Sequence, residues 1–142
     1  MEGQRARDLV DLLDEILWKF GSQSSEGYCC EDISCIEYRA LRVLAKRGSF
    51  TMQELGQQLG VTKSGATRVV DRLERAGYVR RERGEDDHRI CCVSLTEAGR
   101  ILLNRVLEEY ARKTQESLDR LDEDMQNVLM ASLRSFVRTF QD

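Results

Sequence analysis

Two groups of residues in this chain have types and spacings that suggest chemistry: polar and basic side chains near the middle, and five cysteines. Ser and Thr hydroxyls can donate hydrogen bonds to phosphates or base edges, and an Arg guanidinium can bind a guanine edge through two hydrogen bonds. Thiols can bind soft metal ions and can be oxidised reversibly. The first group suggests a surface that faces a polyanion, and the second suggests a thiol-based site.

The polar and basic group lies on one face of a helix that is expected to begin after Thr62 and to end at Gly77. The predicted buried stripe follows the helical period and consists of Ala66, Val69, Val70, Leu73 and Ala76. The opposite, exposed face carries Lys63, Ser64, Thr67, Arg68, Asp71, Arg72 and Arg75. Gly65 leaves room for a close approach by another backbone. An ordinary solvated helix face, or a surface that binds protein, is the alternative interpretation.

The charge distribution is uneven along the chain. The formal net charge is −3, which by itself argues against a general polyanion binder. From Arg39 to Arg89, however, basic residues outnumber acidic residues by five, and the remainder of the chain has an excess of eight acidic residues. A basic middle between acidic ends fits one polyanion-facing surface on an acidic body, and clustered solvated charges explain the same pattern equally well.

Apolar periodicity and capping residues define the elements around this face. Two capping boxes, Ser34 with Glu37 and Thr51 with Glu54, open helices. The four expected helices run from Arg5 to Phe20, from Ser34 to about Lys46, from Thr51 to Gly60, and from Thr62 to Gly77.

The period changes after Gly77. Two strands, Tyr78 to Arg83 and Ile90 to Leu95, flank a polar loop and predict a β-hairpin. A further helix starts at Thr96, with Ile101, Leu102, Val106 and Tyr110 on its apolar face, and is expected to continue past Leu118. Asp122 caps a last helix, whose apolar positions extend to Phe140.

This order of elements predicts a mainly α protein with a small β-hairpin wing, a winged helix-turn-helix. In such a unit the second helix lies in the major groove of DNA and the wing reaches the backbone or the minor groove. The expected organisation is a single domain over 1–142, in which 33–95 form the DNA-binding lobe and 5–20 and 96–140 are dimerisation helices. These terminal helices present more apolar surface than the small winged lobe can cover, and a helical dimer interface is its best use.

The segment from Thr51 to Arg81 resembles the MarR (multiple antibiotic resistance regulator) family of bacterial transcription regulators. The resemblance continues through Asp87-His88-Arg89 and through the run from Val93 to Gly99, and it covers nearly the whole chain. It implies an obligate homodimer with interlocking terminal helices and a pseudo-palindromic operator in double-stranded DNA. It also implies release from DNA by a ligand or by oxidation, which makes a repressor the expected type of regulator.

The wing loop contributes two further candidate DNA contacts. Arg89 can enter the minor groove, where the negative potential is strongest in A·T tracts. Asp87 can hold that guanidinium through a charge-assisted hydrogen bond, although an Asp-x-Arg loop alone is often only a weak surface ion pair. His88 is expected to be solvent-exposed.

Three cysteines precede or begin the second helix, and they form the candidate effector site: Cys29, Cys30 and Cys35. Cys35 lies next to the helix N-terminus, where the helix dipole favours nearby negative charge. Incidental cysteines are an equal alternative; otherwise we favour thiol oxidation, then arsenite or another soft metal. Of Cys91 and Cys92, consecutive on a strand, one should be buried and the other exposed. The spacing argues against a closed four-cysteine zinc site.

The sequence therefore predicts a non-enzymatic, dimeric DNA-binding regulator with no required cofactor. A small aromatic effector is a further possibility. The alternative classes are a cysteine-dependent redox enzyme, which the absence of Cys-x-x-Cys disfavours, and a winged-helix module that binds protein. No signal peptide or membrane-spanning stretch is visible, so a cytoplasmic location is expected.

Overall fold

The computed structural model describes residues 2–21, 33–83 and 91–140. Within these ranges the chain forms six helices and three strands. In chain order they are α1 (Glu2–Gly21), α2 (Cys35–Arg47), β1 (Ser49–Thr51), α3 (Met52–Leu59), α4 (Lys63–Arg75), β2 (Val79–Arg83), β3 (Cys91–Leu95), α5 (Glu97–Leu118) and α6 (Glu123–Arg138). The fold class is the predicted one, mainly helical with a small antiparallel wing.

The helix boundaries follow the predicted caps. The hydroxyl of Ser34 accepts a hydrogen bond from the Glu37 N–H, and the Glu37 carboxylate accepts one from the Ser34 N–H, which completes the first capping box. Thr51 and Glu54 form the second box in the same way. These hydrogen bonds satisfy backbone N–H groups of the first turn that have no partner inside the helix. Because the bonded residues are only three positions apart, the start of each helix can be predicted from the sequence.

Several predicted details are wrong. Ala76 is the exposed C-cap of α4 and not part of its buried stripe, because the helix ends before another turn could bring it inward. Ile101 is 51% exposed, since Leu102 and Leu103 take the buried face of α5. α1 begins at Glu2 and not at Arg5, and α5 ends at Leu118 and does not continue.

The sheet has a strand that sequence analysis missed. β1 pairs with β3 opposite β2, giving the order β1-β3-β2, with Phe50 against Val93 and Arg81 against Val93 on the other side. Three residues are too short to show a two-residue period. The strand exists because its partner, about 40 positions later, supplies the hydrogen bonds.

The chain divides into two compact units, Met1–Val106 and Leu107–Asp142. In the first unit, α2, α3, α4, the sheet and the start of α5 enclose an apolar core. Its largest fully buried side chains are Leu41, Leu44, Leu55, Leu73, Leu102, Val70, Val79, Val93 and Val106. In the second unit, the Gln126 side-chain amide donates to the carbonyls of Leu118 and Leu121, which closes the turn before α6. None of the described helices is long and apolar enough to cross a membrane.

The run from Thr96 to Gly99 joins α5 to the turn after α4. The Thr96 hydroxyl donates to the Gly77 carbonyl at 2.6 Å and accepts from the Gly99 N–H at 3.1 Å. A Cβ atom at Gly99 would lie 2.0 Å from the carbonyl oxygen of Tyr78, a distance at which the backbone must move. Thr96 and Gly99 therefore hold the start of α5 against the turn that follows α4.

Replacing Gly99 by Ala is expected to lower the free energy of unfolding by at least about 2 kcal/mol, because the added methyl group displaces backbone. The measurement is urea denaturation followed by circular dichroism. Gly3→Ala is the matched control: it adds a methyl group to a helix with nothing within 4 Å, so stability should stay unchanged or rise slightly. Equal stability of Gly99→Ala and the wild type would contradict this packing.

Candidate nucleic-acid interface

The turn between α3 and α4 is tight and is built from local contacts. Gly60 adopts a left-handed conformation with φ of 68°, and the Val61 N–H donates to the Gly56 carbonyl at 2.9 Å. The Thr62 hydroxyl then caps α4 by accepting from the Gly65 N–H at 3.0 Å. A Cβ atom at Gly65 would lie 3.2 Å from the Val61 Cβ, so this glycine also serves the packing of the turn itself.

The predicted contact face of α4 is the one that the structure leaves open. Ala66, Val69, Val70 and Leu73 are buried on the opposite side. Six of the predicted contact residues are exposed and Thr67 is half-buried, with its hydroxyl donating to the Lys63 carbonyl. The exposed six are Thr62, Lys63, Ser64, Arg68, Arg72 and Arg75.

Three of these cations form no ion pair with any carboxylate in the described ranges. Lys63, Arg68 and Arg75 form no ion pair there, and their charges point to solvent along one helix face. A row of uncompensated positive charge is what a phosphate backbone attracts. The arrangement is therefore suited to binding a polyanion.

Arg72 is held by a carboxylate from another helix. Its Nε donates to Oε1 of Glu37 at 2.7 Å, and half of the Arg72 side chain stays exposed, whereas that of Glu37 is only 12% exposed. Sequence analysis assigned Glu37 only to the capping box. No local pattern links two residues 35 positions apart, so the pairing became visible only in the folded chain.

Arg81 on β2 ties the wing to α4. Its guanidinium donates to Asp71 and to Glu74, and its backbone N–H donates to the Glu74 carboxylate. The hydrogen bond to Asp71 is the main cause that raises the pKa of Arg81 above its ordinary value. Asp71, which sequence analysis placed on the exposed face of α4, thus binds Arg81 of the wing. Sequence analysis missed Arg81, and the only signal for it was the pair of acidic residues three apart on α4.

A shallow cavity of about 700 Å³ lies beside the start of α4. Ile36 and Val69 contribute apolar surface to it, and Arg68 and Arg72 contribute positive charge. The cavity therefore adjoins both the helix-turn-helix and the first turn of α2.

The wing loop contains the two predicted wing contacts, Asp87 and Arg89, on either side of His88. Asp87, His88 and Arg89 lie outside the described residues. The strands beside them are described, and on β2 Arg80 pairs with Glu82 at 2.8 Å, both largely exposed.

The cysteines are only partly described. Cys29 and Cys30 lie outside the described residues, and Cys35 is exposed at the first position of α2. Cys92 is half-buried on β3, and Cys91 occupies the strand position before it. Within the described ranges, no group of three His, Cys, Asp or Glu residues could hold a metal ion.

Two helices carry large exposed apolar side chains. On α1, Leu17 and Trp18 are 68% and 74% exposed. On α6, whose residues are all described, no residue is buried, and the exposed apolar side chains are Met125, Val128, Leu129, Met130, Leu133 and Val137.

Comparison with known proteins identifies the family. The model of the MarR family matches residues 31–90. The transcriptional regulator YfiV of Bacillus subtilis is 26% identical over 136 residues, covering 96% of this chain and 85% of YfiV.

Solved structures of similar fold match this chain over nearly its full length. A MarR family protein from Bacillus stearothermophilus superposes with a TM-score of 0.88 and 26% identity, covering 100% of this chain and 99% of that one. FabT of Streptococcus pneumoniae, solved in complex with DNA, shares the fold with a TM-score of 0.78 and 24% identity, over 98% and 97% of the two chains. The family match argues against the alternative of a cysteine-dependent redox enzyme. The chain belongs to the MarR family of winged-helix, DNA-binding transcriptional regulators.

Proposed function

We propose that this regulator is a homodimeric repressor that binds a pseudo-palindromic operator through α4 and the wing and leaves it when an effector binds or oxidises its thiols. The observation that carries the proposal is the set of exposed cations on α4, Lys63, Arg68 and Arg75, which form no ion pair within the described residues. The helix is rigidly presented, because its other face is buried and its N-terminus is capped by Thr62.

In this proposal α4 lies in the major groove. The proposed contacts are Thr62, Lys63, Ser64, Thr67, Arg68, Arg72 and Arg75. Those at the first turn, near the capped N-terminus, bind phosphate oxygens, and the arginines farther along bind base edges or phosphates. Asp87 and Arg89 are proposed as the wing contacts to the adjacent minor groove.

The homodimer is proposed from the apolar faces of α1 and α6. Side chains as large as Trp18 on α1 and Leu133 on α6 are exposed in the single chain. Exposed apolar surface of this size on a helix marks an interface with a partner, and a twofold homodimer is the commonest assembly. A dimer would also place two α4 helices about 34 Å apart, one turn of DNA.

For the effector we propose the thiols before and at the start of α2. MarR regulators generally need no cofactor, so a soft metal or metalloid ion at Cys29, Cys30 and Cys35 would act as a signal. Oxidation would join two of these thiols: hydrogen peroxide accepts two electrons and two protons and leaves a disulfide and two water molecules. Cys35 lies two residues before Glu37, which contacts Arg72, so a displaced first turn would disturb α4. A small aromatic ligand is the second candidate effector, supported by the cavity that Arg68 and Arg72 border.

Arg68→Ala is expected to weaken binding to the operator by about 1–3 kcal/mol per half-site, because it removes a proposed base or phosphate contact. The measurement is a mobility-shift titration on the regulator's own upstream region, with folding checked by circular dichroism. Arg120→Ala removes the same charge from an exposed turn in the other unit and should bind nearly as tightly as the wild type. Wild-type affinity of a folded Arg68→Ala variant would remove this face from the interface.

Arg89→Ala is expected to lower affinity, to reduce any preference for A·T-rich flanks, and to make the dependence of affinity on salt shallower, since one cation leaves the DNA. Titrations at several salt concentrations on two flanking sequences measure all three effects. His88→Ala serves as the neighbouring control and should change none of them. An unchanged salt slope and flank preference for Arg89→Ala would place this residue outside the interface.

Mild oxidant or arsenite is expected to release wild-type protein from DNA, and dithiothreitol should reverse the effect of the oxidant. Replacing Cys29, Cys30 and Cys35 together by Ser should abolish both responses and preserve binding in reducing buffer. The control variant carries Ser at Cys91 and Cys92 and should respond as the wild type does. A response that persists in the triple variant would place the sensor elsewhere, and no response in the wild type would favour a small organic effector.

A further inference from the structure

The ion pair between Glu37 and Arg72 connects two elements that have different tasks. Glu37 belongs to the first turn of α2, and Arg72 projects from the exposed face of α4. Their 2.7 Å contact joins the Arg72 Nε to an oxygen of the Glu37 carboxylate, and the Glu37 side chain is nearly buried. A pair with one partner buried resists competition from solvent better than a pair with both partners exposed.

The Glu37 carboxylate is itself fixed in place. One oxygen accepts from the Ser34 N–H at 3.0 Å in the capping box, and the other accepts from Arg72. Both oxygens are therefore committed, and the side chain has little freedom to rotate. The carboxylate provides a fixed point against which the guanidinium is aligned.

This alignment decides which donors of Arg72 remain for a ligand. The Nε–H is used by Glu37, whereas half of the side chain stays exposed. A guanidinium is planar, so holding Nε fixes the direction of the remaining N–H groups. A bidentate contact to guanine needs two donors in one plane, and pre-ordering them avoids the entropy cost of freezing a long side chain on binding.

The other positive side chains of α4 lack this support. Arg68 and Arg75 have no carboxylate partner within the described part of the chain, so they can adjust to phosphates of variable position. The acidic residue on the same face, Asp71, is occupied by Arg81. Arg72 is thus the arginine of α4 whose geometry is set before DNA arrives.

We propose that Glu37 is a positioning residue for sequence readout: it holds Arg72 so that the guanidinium reads one guanine in each half-site of the operator. Glu37 does not contact DNA in this scheme. The inference rests on the proposed function, in which the exposed face of α4 enters the major groove. It adds that the arginines of α4 have different roles: Arg72 recognises a base, and Arg68 and Arg75 contribute affinity that does not depend on sequence.

The test is a selection of high-affinity duplexes from a randomised DNA library by full-length protein, followed by titration of the selected site and of random duplex. The variants are Glu37→Gln, Arg72→Ala and Arg72→Lys. Gln at the third helical position still serves a capping box, so the fold should persist. Glu54→Gln is the matched control, since Glu54 occupies the same position in the second capping box and also contacts an arginine, Arg47.

We expect the wild type and Glu54→Gln to select the same motif. Arg72→Ala, Arg72→Lys and Glu37→Gln should all lose the preference at one and the same G·C pair of each half-site. For Glu37→Gln the ratio of selected-site to random-duplex affinity should fall about tenfold per half-site, within the range of a bidentate arginine–guanine contact. Affinity for random duplex should stay level or rise, because a negative charge is lost near the DNA. A purely structural role would lower both affinities together.

Three outcomes overturn the inference: Glu37→Gln retains the preference at the Arg72-dependent position, it weakens all positions and random duplex alike, or Arg72→Ala changes no position. If the wild type itself selects no motif, the proposed function fails, and this result is distinct from the three above. Thermal unfolding of each variant verifies that the compared proteins are folded.

Discussion

The burial of one face of α4 is the interaction on which the DNA-binding lobe depends. Ala66, Val69, Val70 and Leu73 pack into the core, and this packing keeps the opposite face of the helix, which carries the cations, on the surface. A helix of 13 residues is only marginally stable by itself in water, so the hydrophobic core supplies the stability and the polar face is carried along with it. The burial of the apolar face therefore fixes both where α4 lies and which of its charged side chains are exposed.

Carboxylates around this face control how the positive charge is presented. Glu37 restrains Arg72 from the side of α2, and Asp71 and Glu74 bind Arg81 from the side of the wing. Each of these carboxylates lowers the net positive charge of the lobe, and each contact fixes the direction of a side chain or of a strand. Charge-assisted hydrogen bonds that are partly shielded from water hold such geometry better than exposed pairs do.

The first turn of α2 contains residues with several different roles. It contains the capping box that starts the helix, the carboxylate that holds Arg72, the exposed Cys35, and Ile36 at the edge of the cavity beside α4. Glu37 in this turn contacts α4 directly, through its hydrogen bond with Arg72. In the proposed function, this contact is the route by which an effector bound near the turn alters DNA binding.

The sequence by itself determined the features that depend on near neighbours. The capping boxes at Ser34 and Thr51, the cap at Thr62, the glycine turn at Gly60 and the apolar stripe of α4 all follow from contacts within about four residues. Only the tertiary structure decided the features that join distant segments. The strand β1, the contact of Gly99 with Tyr78, and the pairs of Glu37 with Arg72 and of Arg81 with Asp71 each need two parts of the chain to meet. Such meetings depend on how the whole core packs, and local periodicity carries no information about them.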